Sequence, residues 1–193
     1  MRDRLGNRLP KFTDTEEQEL LGSADFLGLN HYSSAIASKP KNPPTYGGYW
    51  AEQFVTLSSD PSWKKTSMGW NVAPEGAREM LLWIDHRYGR PLIFVTENGV
   101  ATHEPDLEHS LHDIDRKDYL EGYIGGFGQA VMQGVNLGGY FAWSLLDNFE
   151  WQYGYLKRFG LVHVNYTTLV RTPKASAKWY QLTIESNGGN IPL

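Results

Sequence analysis

The sequence predicts an α/β fold: three strand–loop–helix units in a row, their strands side by side in a parallel sheet. Three observations predict it. Apolar runs of strand length, such as Leu92-Ile93-Phe94-Val95, alternate with longer stretches in which apolar residues recur three and four apart. The runs are continuous, which is the pattern of strands buried on both faces. Polar and aromatic residues gather directly after each run, the end at which parallel sheets assemble their sites, whether closed as barrels or doubly wound.

The elements follow in order. A short helix is predicted over 14–21, with Glu16, Glu17 and Glu19 on a solvated face and Leu20 and Leu21 turned inward. Asp25-Phe26-Leu27-Gly28-Leu29-Asn30 reads as the first strand. From His31 to about Trp70 the chain reads as a long loop, carrying Pro40, Pro43, Pro44 and Gly47-Gly48. Loops of that length in compact domains are usually functional. Pro74 opens a helix with Ala77, Met80, Leu81 and Ile84 as its apolar stripe, stopping at Tyr88-Gly89. A second strand covers 91–96, a helix 116–132, a third strand 138–143 and a last helix 173–184. No repeat or low-complexity tract divides 1–193, which reads as a single region. An eight-unit barrel takes about 250 residues. Three units cannot close one and leave two open strand edges. The expectation is a piece of a larger fold, completed by a further N-terminal chain or by self-association.

Composition narrows the function. Net charge is −4 with a pI near 5.8, and no basic run exceeds Lys64-Lys65, so a nucleic-acid partner is not expected. There is no cysteine, which removes disulfides, thiolate catalysis and Cys-zinc sites together. With a charged, polar stretch over 1–20, this suits a reducing cytoplasm, the expected location. No apolar run approaches the roughly 20 residues of a membrane span. Aromatic residues reach 13%, with seven Trp and eleven Tyr. Such rings pack on the C–H face of a sugar while a polar tip hydrogen-bonds; an aromatic-rich core has the same composition.

Glu97 is the leading chemical candidate, a carboxylate just past a buried strand and before Asn98-Gly99. Read alone, those residues also fit a tight turn with an acid beside it. The other strand ends add weight. One offers Asn30, His31 and Tyr32; the other offers Trp143, Asp147, Asn148, Glu150, Trp151, Tyr153 and Tyr155. Carboxylates ringed by amides, phenols and indole planes suit glycoside hydrolysis, which needs charge for an oxocarbenium-like transition state and donors for sugar hydroxyls. Gly126-Phe127-Gly128 lies inside a helical pattern and not after a strand, so no dinucleotide cofactor is expected. His103, His109, His112 and Asp113 read as a surface loop cluster and not a metal site. Asn165-Tyr166-Thr167 is a formal glycosylation sequon.

Three ordered blocks carry a resemblance: Gly28-Leu29-Asn30-His31-Tyr32, Val95-Thr96-Glu97-Asn98-Gly99, and the run from Gly139 to Trp151 with Ala142-Trp143-Ser144 and Asn148-Phe149-Glu150-Trp151 at its centre. Tyr155 through Phe159-Gly160 and Arg171-Thr172-Pro173-Lys174 continue it. They closely resemble blocks of the family 1 glycosidases, over essentially the whole chain. The resemblance implies an eight-stranded (β/α)8 barrel, of which these blocks would be strands six to eight. It implies a retaining β-glucosidase with Glu97 as nucleophile and Tyr32 positioning it, with Asn30 nearby. Trp143 would be the platform under the sugar, Glu150 with Trp151 would hold the hydroxyls at C4 and C6, and Phe159 would border the C6 end. The loop 31–70 would shape the aglycone entrance. Neither metal nor cofactor is implied.

The departures matter as much. The family's acid/base lies in an Asn-Glu-Pro block before the nucleophile, and this sequence has none. His103-Glu104-Pro105 looks similar but follows Glu97, with no strand before it, and Glu104 reads as a solvated loop acid. The family's N-terminal Gln and His-Trp pair are missing too. Three readings follow: the nucleophile half of a β-glucosidase, a sugar-binding module without turnover, or a receptor-like relative.

Overall fold

The computed structural model describes residues 5–42, 48–189 and 191; Pro43, Pro44 and Gly47 of the predicted loop lie outside them. The chain forms two compact units: residues 1–25 with 35–62, and residues 26–34 with 63–193.

The larger unit holds the three predicted strand–helix pairs: β1 (Leu27–Asn30), α1 (Pro74–Tyr88), β2 (Ile93–Asn98), α2 (Ile114–Met132), β3 (Leu137–Ala142) and α3 (Ala175–Glu185). The strands form one parallel sheet in the order β1-β2-β3. Among the described residues no closed barrel is present. Helix α1 starts on Pro74, whose missing N–H is harmless at a first helical position, and stops where Gly89 adopts a left-handed φ of 72°. Its buried stripe is Ala77, Leu81 and Ile84. Met80, predicted to join it, is 41% exposed, because at 100° per residue it falls on the stripe's edge.

Helix α2 buries Tyr119, Leu120, Tyr123, Phe127 and Ala130 at helical spacing. A Cβ at Gly126 would sit 2.8 Å from the Pro74 carbonyl oxygen, so this glycine serves close approach of α1 to α2. These residues join Ile93, Val95, Leu161 and the inward sides of Leu27, Leu29, Leu137, Tyr140 and Ala142 in one core. The opposite sheet face is different. Phe26 and Phe141 there are 53% and 58% exposed, and Phe94 is met by Phe26 edge-on at 5.1 Å. The expectation of burial on both faces is therefore corrected: the described residues cover only one.

The smaller unit has a helix, Asp14–Leu20, entered through a capping box of Thr13 and Glu16. Leu20 and Leu21 are exposed, contrary to the prediction, since no described residue covers that side of so short a helix. The predicted loop is also not structureless. Ile36–Ser38 pairs antiparallel with Thr56–Ser58, and Tyr49–Gln53 is a short helix whose Glu52 pairs with Arg8 at 2.8 Å. A second hairpin, Val162–Val164 with Arg171–Pro173, lies in the larger unit. Strands of three residues carry too little periodicity to be read from sequence.

The facing of α1 is testable. Leu81→Ala should cost about 2–5 kcal/mol by opening the core, whereas exposed Met80→Ala should stay within about 0.5 kcal/mol. Urea unfolding of both variants measures this; equal losses would mean the stripe is misassigned.

Candidate active site

The end of β2 departs from a regular strand, and that departure builds the site. Ile93 and Val95 face the helices, so strict alternation would send Glu97 into the core as well. The registers show otherwise. Leu29 pairs with Val95 but Asn30 pairs with Glu97; Val95 pairs with Tyr140 but Asn98 pairs with Ala142. One extra residue therefore lies on β2 against both neighbours, a bulge that shifts the phase. Asn98 becomes the buried residue, fully enclosed, and Glu97 leaves the helix face. There the Tyr32 hydroxyl donates to Glu97 Oε2 at 2.6 Å. The preceding residue helps, since the His31 N–H donates to the Glu97 carbonyl at 2.9 Å. Thr96 Oγ1 donates to Asn30 Oδ1 at 2.7 Å on the exposed face.

Trp143 follows β3 directly, its N–H donating to the Asn98 carbonyl at 2.7 Å. Gly99 lies flat against the Trp143 carbonyl, with no room for a Cβ. Burial, and then the negative charge of Glu97, raise the Glu150 carboxyl above the ordinary range, so the two acids share one electrostatic environment. Burial also raises the Tyr32 phenol far above the usual tyrosine range, helped by its bond to Glu97 and by the charges of Glu97 and Glu150. Tyr32 is consequently a neutral donor at any working pH. Phe159 is buried and backs Tyr32, ring centres 6.1 Å apart. Trp70 completes this wall at 5.7 Å from Tyr32 and 6.2 Å from Phe159. Sequence reasoning missed Trp70 because it sits at the end of a stretch read as loop. Trp151 opens a 3-10 turn and is 78% exposed.

Glu104 is not the solvated acid predicted. Its side chain is 3% exposed and accepts from Arg116 at 2.6 Å, Ser110 at 2.6 Å and Lys174 at 3.0 Å. Lys174 also reaches Asp147 at 3.1 Å, and Arg158 meets Asp147 at 2.6 Å. Asp113, expected in a surface cluster, is buried between Arg116 and Ser176. His103, His109 and His112 keep the predicted exposed position, His109 beside Asp106. Burial opposes the charge of Glu104, yet Arg116, Lys174 and the Ser110 hydroxyl together hold its carboxyl below the usual range. Glu104, Asp147 and His163 place ligand atoms within 4.8 Å of one another. Their carboxylates are already neutralised by two guanidinium groups and an ammonium, so a metal ion has no charge to answer.

The arrangement defines a class: an α/β protein with a phenol-bound carboxylate, a second acid and indole rings at the carboxyl ends of parallel strands. Residues 1–189 match glycosyl hydrolase family 1, and the chain belongs to that family. It is 42% identical to beta-glucosidase 42 of Arabidopsis thaliana over 98% of this chain and 41% of that protein. It is 40% identical to lactase/phlorizin hydrolase of Homo sapiens over 94% of this chain and 9% of that protein. Among solved structures, a beta-glucosidase from Thermotoga maritima in complex with glucoimidazole superposes with a TM-score of 0.81 at 37% identity, over 97% of this chain and 40% of that one. The chain thus spans about two fifths of the β-glucosidases it matches.

Two outcomes follow. Gly99→Ala should displace Trp143 and lower the thermal midpoint by several degrees, because backbone and not a flexible side chain would have to yield; unchanged melting and Trp fluorescence would refute this. The buried cluster sets an acid limit. A carboxyl depressed in the folded state stabilises fully above its unfolded pKa of about 4.3, and that contribution is lost as pH falls through the lower folded value. Thermal midpoints should therefore drop on acidification through that window. Glu104→Gln should cost about 3–5 kcal/mol near neutrality by leaving buried cations uncompensated, and progressively less as pH falls below the unfolded value. Equal losses at neutral and acid pH would contradict the ion-pair assignment.

Proposed function

We propose that this chain carries the nucleophile side of a retaining β-glucosidase site, built on the last three units of an eight-stranded barrel, with the acid/base supplied by units outside these residues. The observation that carries it is the 2.6 Å bond from Tyr32 to Glu97. A phenol donating to one carboxylate oxygen fixes the carboxyl plane and leaves the other oxygen for attack at a sugar's anomeric carbon. Retaining hydrolysis then needs a second carboxyl about 5–5.5 Å away to protonate the departing oxygen. Glu104 cannot serve, since the cations that hold it keep it ionised and it has no proton to give. Glu150 is the other acid near Glu97; its raised carboxyl suits a group accepting hydroxyls at the glycone end, with Trp143 beneath the ring and Trp151 beside it. Asn30 stands beside the nucleophile and Phe159 behind Tyr32.

Terminal β-glucosyl residues are the proposed substrate, in line with the names of the related proteins. Among the described residues nothing covers Phe26 and Phe141 or pairs the two outer strand edges, which suits a partner that supplies further strands.

Assayed alone, the chain should turn over nitrophenyl β-glucoside poorly, because positioned acid catalysis contributes about 10²–10⁴-fold. Joined to the first five units of a relative such as the Thermotoga maritima enzyme, it should gain activity. Glu97→Ala should abolish that gain, and azide should restore some turnover with an activated glucoside by occupying the vacated space. Wild-type rates in the Glu97→Ala fusion would dismiss Glu97 as nucleophile. Sugar binding by the fusion without any turnover would favour the binding-module reading instead.

A further inference from the structure

The bond from Tyr32 to Glu97 depends on where the chain turns after β1, and Tyr32 lies outside the sheet ladder. Its backbone is held by side chains. The Tyr119 hydroxyl donates to the Tyr32 carbonyl at 2.8 Å, while Tyr123 reaches the same oxygen only at 3.4 Å. One residue earlier, Asn98 Nδ2 donates to the His31 carbonyl at 2.8 Å and, with its other hydrogen, to the Tyr119 oxygen at 3.1 Å. Asn98 Oδ1 accepts from Tyr140 at 2.8 Å, which settles the orientation of the amide. Every polar atom of this node is used, and Asn98 and Tyr119 are 0% and 3% exposed. A hydroxyl on α2 and an amide on β2 thus anchor two consecutive carbonyls of the segment that carries Tyr32.

We infer that Tyr119 is a positioning residue for the nucleophile: its hydroxyl, seated on Asn98, sets the Tyr32 backbone so that the Tyr32 phenol reaches Glu97. This rests on Glu97 being the nucleophile. The Tyr119 hydroxyl is bonded to Asn98 and to the Tyr32 carbonyl, not to Glu97, so it acts on Glu97 through Tyr32. Without its hydroxyl, the Tyr32 carbonyl keeps only the long contact from Tyr123, and one hydrogen of the buried Asn98 amide is left without an acceptor. Buried polar groups do not stay unpaired without rearrangement, so the segment should shift and draw the phenol away from Glu97.

The test uses the full chain with ¹³Cζ-labelled tyrosine, the Tyr32 resonance being assigned by its loss in Tyr32→Phe. Glu97→Gln marks the position of that resonance once the charged acceptor is gone. Tyr119→Phe should move it toward the same position. Tyr123→Phe serves as the structural control, one helical turn along and equally buried: it should lower the thermal midpoint but leave the resonance in place. If Tyr119→Phe does not fold, Tyr119→His, which retains a polar ring of smaller reach, takes its place. An unmoved Tyr32 resonance in a folded Tyr119 variant overturns the inference, whatever happens to stability; so does an equal movement in Tyr123→Phe. A second readout separates this from the nucleophile reading. 2,4-Dinitrophenyl 2-deoxy-2-fluoro-β-glucoside has a leaving group that needs no proton, so Glu97 alone can be glycosylated and then detected by mass spectrometry. Labelling should slow about tenfold in Tyr119→Phe and in Tyr32→Phe, and no further in the double variant, the pattern of residues acting through one path. Independent slowing in the double variant overturns the inference alone. Label on a residue other than Glu97 in the unsubstituted chain overturns the nucleophile reading, and the inference with it.

Discussion

The candidate site depends on a single backbone irregularity, the extra residue that β2 accommodates between Val95 and Asn98. A regular strand would bury Glu97 beside Tyr119 and Tyr140, where an ionised carboxylate is costly. The bulge exchanges the two residues. The neutral amide of Asn98 enters the core and finds a full set of partners, and the acid is turned to the Tyr32 phenol on the other side. Burying an amide that is fully hydrogen-bonded is tolerable; burying a lone carboxylate is not. The same amide ties β1 to β2 and, through Tyr140, to β3, so the conformation that frees Glu97 also holds the three strand ends together.

Charge is distributed with similar economy. The strongly paired acids, Glu104, Asp113 and Asp147, sit with Arg116, Lys174 and Arg158, and the loops after β2 and β3 are held to the start of α3 by them. Among the described residues neither Glu97 nor Glu150 forms an ion pair, and Glu150 answers with a raised carboxyl. Two carboxylates close enough to perturb one another, without a neutralising partner, are a feature of sites that receive a ligand. The cluster and the candidate site therefore divide the acids of one protein between architecture and chemistry, according to which of them meets a cation.

The sheet faces explain why the chain reads as part of something larger. Its helices cover the face bearing Ile93, Val95 and Tyr140, and that core is well filled. The other face keeps Phe26 and Phe141 open beside the polar Asn30 and Thr96. Strands composed to be buried on both sides, with described cover on one, leave apolar residues of the second face exposed.

Much of this was legible in the sequence. Periodicity and end signals located all three strand–helix pairs, because Pro74 and Gly89 act through their own backbone geometry and the stripes of α1 and α2 repeat long enough to be counted. The placing of Glu97, Tyr32 and Trp143 at strand ends followed from the same reading. What tertiary structure alone decided were properties of residues far apart in the chain. Glu104 looked like a solvated loop acid because Lys174, 70 residues on, is invisible to local reasoning. Trp70 became part of the wall behind Tyr32 only by meeting it across the fold. The direction of Glu97 was undetermined as well, since alternation along β2 predicts the wrong face and only pairing with both neighbouring strands reveals the extra residue. Local sequence specifies period and punctuation, whereas burial and facing are set by partners that the chain brings from elsewhere.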